Sequence, residues 1–241
     1  MKKQYLGAII DHPLLGTTLP VDFNPLKTCS FNCYYCSLGK TTKMTMDREE
    51  FYPFQEIFQE IDTYLQQNEN PDFLFLTGSG EPALYSKFGD LARKIKGKYP
   101  SIQTTAYSNA SLLNDPGVRK DFCECDIMQF NLNAVRAEEF SQINRHHSNV
   151  KIEDVLDGLK KFKAEFKKPI WIHTIFVDNF NISEENIIGL RNFIADFNPD
   201  KYIIRKFEKE NDVQPLSDDT INFIKSQIDS LNCECKYIGF D

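Results

Sequence analysis

The chain has 241 residues, of which 41% are hydrophobic and 26% charged, a composition that suits one sizeable globular domain. Its net charge of −7, from 35 acidic against 28 basic residues, leaves no general basic footprint for nucleic acid. No apolar run approaches the roughly 20 residues that cross a bilayer, and Pro13 ends the short apolar stretch after the start, so neither a membrane span nor a signal peptide is expected and the location expected is cytoplasmic.

Residues 21–26 read as a first strand, placed just before a cysteine-rich loop. Phe54, Ile57, Phe58, Ile61, Tyr64 and Leu65 then repeat at helical spacing. The apolar run 72–77 ends at Gly78 and reads as a buried strand. A helix is expected over 87–99, and strands over 102–109 and 127–133. Ile152, Val155, Leu159, Phe162 and Phe166 line one helix face. Residues 170–177, rich in β-branched and aromatic side chains, make the clearest strand. Ser183 caps the next helix, with Glu184 and Glu185 at the positive end of its dipole and Ile187, Leu190, Ile194 and Phe197 on its apolar face. A sixth strand covers 202–207, and Ile221, Ile224, Ile228 and Leu231 mark a last helix.

Strands alternating with helices imply βαβ units and a parallel sheet with right-handed crossovers. Six units are too few to close an eight-stranded barrel. The expected fold is therefore α/β: a partial (βα)6 TIM-like barrel, a parallel sheet with outer helices. Residues 1–20 would form an N-terminal extension, 21–230 the core and 231–241 a C-terminal strand or tail. In such a fold the chemistry gathers at the C-terminal ends of the strands.

Seven cysteines without a secretion signal favour metal binding over a disulfide framework. Cys29, Cys33 and Cys36 have the spacing C-x3-C-x2-C directly after the first strand. Three thiolates this close can grip one metal centre, and soft sulfur selects zinc or iron–sulfur clusters. Structural zinc wants a fourth ligand, and no His or Cys lies between Cys36 and Cys123. A cubane on three cysteines leaves one iron open.

With Tyr35 as the aromatic residue before the third cysteine, the loop resembles the signature of the radical S-adenosylmethionine superfamily. Its flanks, 14–29 and 36–42, resemble a branch of small iron–sulfur oxidoreductases related to wyosine synthases. The resemblance implies a four-iron, four-sulfur cluster on Cys29, Cys33 and Cys36, and S-adenosylmethionine as the second cofactor. It implies an electron donor such as flavodoxin or ferredoxin. It further implies a 5′-deoxyadenosyl radical that takes hydrogen from a small-molecule or peptide substrate. Modification of a tRNA base is the alternative, disfavoured by the acidic charge. A non-catalytic electron-transfer or accessory role is another.

The same resemblance assigns the next loops. Gly78-Ser79-Gly80-Glu81-Pro82 corresponds to the turn that holds the methionine amino group, where glycines permit close backbone approach and a carboxylate accepts from an ammonium. Ser79 is a mild departure that leaves Gly78, Gly80 and Glu81 in place. Asn109, Asn131 and Asn133 end the third and fourth strands and would meet the cofactor, with Asn replacing the usual Ser and Asp at the last two. Arg145, in Ile143-Asn144-Arg145, could meet a carboxylate. Arg205 and Glu208, at the end of the sixth strand, could reach a substrate.

Cys123/Cys125 and Cys233/Cys235 admit a second cluster, a zinc site or simple burial as small hydrophobes, and burial is the preferred reading. His146, His147 and His173 lack a partner at metal spacing. Lys160, Lys161, Lys163, Lys167 and Lys168 form a basic run, read as the solvated face of one helix.

Overall fold

Apolar runs become strands and amphipathic stripes become helices. In the computed structural model, which describes residues 4–207 and 214–240, a hairpin of β1 (Ile10–His12) and β2 (Gly16–Val21) opens the fold. A small parallel pair follows, β3 (Thr28–Cys29) with β4 (Lys43–Met44), then α1 (Phe54–Gln67) and β5 (Phe73–Leu76). Next come α2 (Phe88–Lys98), β6 (Gln103–Ser108), α3 (Pro116–Phe122), β7 (Ile127–Asn131) and α4 (Ala137–Asn144). The chain continues through α5 (Ile152–Glu165), β8 (Ile170–Phe176), α6 (Glu184–Phe197), β9 (Lys201–Lys206), α7 (Asp218–Ile228) and β10 (Glu234–Ile238).

The main sheet runs β1-β2-β5-β6-β7-β8-β9-β10, antiparallel only between β1 and β2, and curls into a half-barrel. The expected partial barrel is therefore present, with β10 as a further parallel strand on its far edge. The first parallel strand is Gly16–Val21 rather than residues 21–26, and with β1 it puts the start of the sheet before residue 21. The ladder stops at Val21 because Asp22 turns away from it. The Asp22 carboxylate accepts from the amides of Asn24 (3.1 Å) and Ser79 (2.7 Å) and from the Ser79 hydroxyl (2.5 Å). Pro25 then restricts Asn24 to extended backbone. The Ser183 cap is as expected, its hydroxyl accepting from the Asn186 amide at 3.2 Å.

Alternation along each strand sends one side chain to the helices and the next to the concave side. Ala106, Met128, Phe130, Ile172 and Ile204 join the core beneath the helices. On the concave side, Leu15, Phe73, Trp171 and Ile203 make a separate apolar cluster, with Leu14 and Ile127 against it. Leu14 and Leu15 come from the turn between β1 and β2. Phe73, Ile127 and Trp171 come from the N-terminal ends of their strands. The hairpin thus floors the half-barrel at the end opposite the cysteine loop.

Candidate active site

The cysteine loop is shaped by its own backbone. Pairing of β3 with β4 closes its base. The amides of Asn32 and Tyr34 donate to the carbonyls of Asn144 (3.1 Å) and Ile143 (2.9 Å), and the His147 amide donates to the Ser30 carbonyl (2.8 Å). The Ile143-Asn144-Arg145 segment therefore acts first as a clamp on the loop. Arg145 takes a left-handed conformation (φ 45°) that ends α4, and its guanidinium lies 5.2 Å from the Tyr34 ring centroid. No ion pair is formed by Arg145 among the described residues.

Each of the three sulfurs meets a donor. The Phe31 amide approaches Cys29 Sγ at 3.4 Å, Asn144 Nδ2 approaches Cys33 Sγ at 3.4 Å, and Lys27 Nζ lies 3.0 Å from Cys36 Sγ. The Tyr35 hydroxyl also donates toward Cys33. Donors of this kind stabilise metal-bound thiolates and tune the metal they hold. Burial pushes the Cys29 thiol up to about 12, with a smaller rise from Glu81, and burial raises Cys33 as well. Thiolates here are favoured when a cationic centre takes the place of the protons. Among the described residues no three His, Cys, Asp or Glu side chains gather tightly enough for a single ion. Three donor-supplied cysteines on one short loop match the soft-sulfur ligand chemistry of an iron–sulfur cluster. Lys27 and Asn144 were not singled out from the sequence. Their only signal there is position, two residues before Cys29 and within the clamp.

The Gly78–Glu81 turn docks beside the loop. Gly78 has φ +69°, and a Cβ on Gly80 would meet the Thr28 carbonyl oxygen at 1.9 Å, so both positions need glycine. Glu81 is buried, and its carboxylate accepts from the Ser108 hydroxyl (2.6 Å) and the amides of Asn109 (2.9 Å) and Ala83 (3.1 Å). Burial raises its pKa to about 7 against those three hydrogen bonds. Glu81 thus ties the turn to the end of β6. Asn109 Nδ2 donates to Ser30 (2.9 Å) and lies 3.7 Å from Cys29 Sγ.

Asn131 and Asn133 meet at the Tyr35 hydroxyl, donating at 2.6 and 2.7 Å, with Asn144 Nδ2 at 3.4 Å. Asn131 Oδ1 and Asn144 Oδ1 are buried without partners. The structure therefore gathers Tyr35, Asn131, Asn133 and Cys33 into one network at the rim. Arg205 lies deeper, on the concave side, and Glu208 falls outside the described residues.

The distal cysteines do not gather. Cys125 is part of the core, and Lys168 caps the carbonyls of Cys123 and Cys125. Cys233, just before the edge strand, and Cys235, on it, neighbour each other, Sγ to Sγ 3.9 Å. The lysine run is spent locally: Lys160 pairs with Asp196, Lys161 with Asp157, and Lys163 caps the carbonyls of Phe197 and Asn198.

A model of the radical SAM superfamily matches residues 23–190. A UPF0026 protein of Methanocaldococcus jannaschii is 30% identical over 192 residues, covering 78% of this chain and 58% of its own length. The chain thus spans about three fifths of that curated relative. Streptococcus suis SuiB, solved bound to S-adenosylmethionine, superposes with a TM-score of 0.65 at 16% identity over 92% of this chain and 52% of that one. A radical SAM methyltransferase from Sphaerobacter thermophilus gives 0.67 at 13% identity, over 95% and 68%. No described helix is long and apolar enough to cross a membrane. With the family model spanning the cysteine loop and strands β5 to β8, this chain belongs to the radical SAM superfamily, enzymes that use a four-iron, four-sulfur cluster and S-adenosylmethionine.

Proposed function

We propose that this enzyme abstracts hydrogen from a small molecule or peptide held on the concave side of the half-barrel, with a flavodoxin or ferredoxin as electron donor. The observation that carries this reading is the concave side itself. A closed βα barrel fills its interior with layers of bulky apolar residues. Here the floor is apolar, and above it stand the polar side chains of Thr105, Gln129, His173, Tyr107 and Arg205.

When bound, the cluster and S-adenosylmethionine supply a 5′-deoxyadenosyl radical through reductive cleavage of the sulfonium. The chain's residues do the rest. Cys29, Cys33 and Cys36 hold iron. Lys27, Asn144 and Tyr35 offset the negative charge on the sulfurs. Glu81 braces Gly78–Gly80 against the loop, and Asn131 and Asn133 fix Tyr35. Phe180, in the segment after β8, stacks on Tyr34 with ring centroids 4.1 Å apart and helps to shield the rim from water. An electron carrier would have no use for the braced turn or the polar interior.

Anaerobic incubation of reconstituted protein with S-adenosylmethionine and dithionite should yield 5′-deoxyadenosine, read by mass spectrometry, and addition of a substrate should accelerate it. No cleavage by a fully loaded cluster would defeat the reading. Modification of a tRNA base, the competing reading, demands phosphate contacts, yet Lys160 and Lys161 on α5 are paired with aspartates, Lys163 caps carbonyls, and Lys167 and Lys168 fall beyond the end of that helix with carbonyl partners of their own. We expect no tRNA binding tighter than about 10 μM at physiological salt. Submicromolar, salt-sensitive binding in a mobility assay would reverse that preference.

A further inference from the structure

Between the floor and the rim, hydrogen bonds fix a polar layer. Gln129 Nε2 donates to the Thr105 hydroxyl (3.0 Å), which leaves Gln129 Oε1 as the acceptor facing His173 Nε2 (3.0 Å). His173 Nε2 therefore carries the proton, and Nδ1 presents a bare lone pair. Burial, and after it the charges of Arg205 and His12, press the His173 pKa down to about 3, so the ring is neutral. His173 is 3% exposed, and its Nδ1 has no partner. The Tyr107 ring meets the His173 ring edge-on, with centroids 4.8 Å apart.

Arg205 enters this layer from β9. Alternation along β9 puts Arg205 on the same face as Ile203 of the floor, and its charge acts on His12 of the floor hairpin, on His173 and on Tyr107. Arg205 Nε is buried without a partner, and among the described residues no carboxylate pairs with it. A half-buried guanidinium without a carboxylate partner is open to an oxyanion, which its planar fork matches in geometry. None of these groups is used by the rim.

Taking the proposed radical chemistry as given, we infer that this layer is the substrate pocket, selecting a small molecule with a carboxylate or phosphate beside a hydroxyl or N–H. Arg205 takes the oxyanion, and His173 Nδ1 accepts from the neighbouring donor. Tyr107 walls the site beneath the radical source. The feature that creates the preference is the pairing of a fixed cation with a fixed acceptor. An oxyanion lacking an adjacent donor satisfies only half of it.

The test is calorimetric. Reconstituted holoenzyme with S-adenosylmethionine present is titrated anaerobically, at constant ionic strength, with glycolate, acetate and inorganic phosphate. Saturable uptake of glycolate or phosphate is expected, with glycolate bound more tightly than acetate. Arg205→Gln should weaken uptake by about tenfold or more at an unchanged melting temperature. Arg205→Lys, which keeps the charge, guards against a folding defect and should fall between. His173→Phe should erase the preference for glycolate over acetate. No saturable binding by the wild type, equal binding by Arg205→Gln, or uptake that S-adenosylmethionine abolishes would overturn the inference. The last result would give Arg205 to the cofactor instead. Cleavage of S-adenosylmethionine in the same samples keeps the two readings apart. Cleavage without anion binding removes the pocket, and anion binding without cleavage removes the radical chemistry.

Discussion

The chain carries two populations of cysteine, and their surroundings differ more than their burial does. Cys29, Cys33 and Cys36 each meet a nitrogen donor, on a loop whose backbone is fastened to α4 and to β4. Cys123, Cys125, Cys233 and Cys235 have mainly apolar packing, carbonyl caps or each other. Burial raises the pKa of Cys29 and of Cys125 alike, so burial alone does not mark a metal ligand. What separates the two populations is the nitrogen donor beside each sulfur of the first set, whereas Cys125 meets the Thr104 hydroxyl and Cys233 its neighbour's thiol.

The sharpest break of that comparison is by replacement. Alanine at Cys29, Cys33 and Cys36 together should take reconstituted iron from about four per chain to near zero, while alanine at all four distal cysteines leaves about four. About eight irons in the wild type, falling to four in the triple variant, would give the distal set a cluster of its own. Iron and sulfide assays decide.

Removing the donors tests why the first set differs. Lys27→Met and Asn144→Ala should each keep the three cysteines yet lower cluster affinity or activity by about 10- to 100-fold. Lys27→Met should also shift the reduction potential to more negative values, because a cation is lost beside Cys36. A spectroelectrochemical titration that finds no shift would strip Lys27 of that role.

Glu81 links the rim to the sheet and carries a pH signature. Its folded pKa of about 7 stands above the ordinary carboxylate value, so its contribution to stability is complete below about 4.5 and is lost as pH rises through about 7. Over that window the loss amounts to about 3 kcal/mol. Glu81→Gln should show none of this slope. It sets one amide group against the Ser108, Asn109 and Ala83 donors, at a cost of about 1–3 kcal/mol at pH 5 that shrinks toward pH 7. The variant should keep the cluster, and calorimetry should show S-adenosylmethionine affinity weakened by about tenfold or more. Parallel pH profiles for the two proteins would contradict the assignment.

The smallest effect belongs to the distal set itself. Cys233→Ser, just before the edge strand, should change stability by less than about 0.5 kcal/mol, whereas Cys125→Ala in the core should cost about 1 kcal/mol, both at unchanged iron content. Denaturant midpoints measure each.

Much of this was legible in the residues. The apolar runs at 72–77, 127–133 and 170–177 led to the right strands, and the cysteine spacing to a resemblance with the family to which the chain belongs. The β1–β2 hairpin was not legible, because three residues around His12 and the Thr-rich start of β2 carry little alternation. Nor was the polar layer: Gln129 and His173 sit inside runs that read as buried, and only the curl of the sheet shows that they face one another. Glu81 was marked from the sequence as a ligand to an ammonium. The structure adds that its carboxylate already answers three donors of its own chain, a matter of tertiary contacts that no local pattern encodes. Asn131 and Asn133 were read toward the cofactor, and their amides converge on Tyr35.

The pairing of β2 with β5 has a consequence for how such a chain can vary. Thr18 pairs with Phe73, whereas Phe73 pairs with Gln103, so the first crossover is nearly twice as long as the second. The whole metal loop is housed in that extra length. Closing a flexible connection costs only about 0.6 kcal/mol more for each doubling of its length. The added length is therefore thermodynamically cheap. A parallel sheet can acquire a reactive appendage within one connection, and remodel it later, while the strands on either side keep their register.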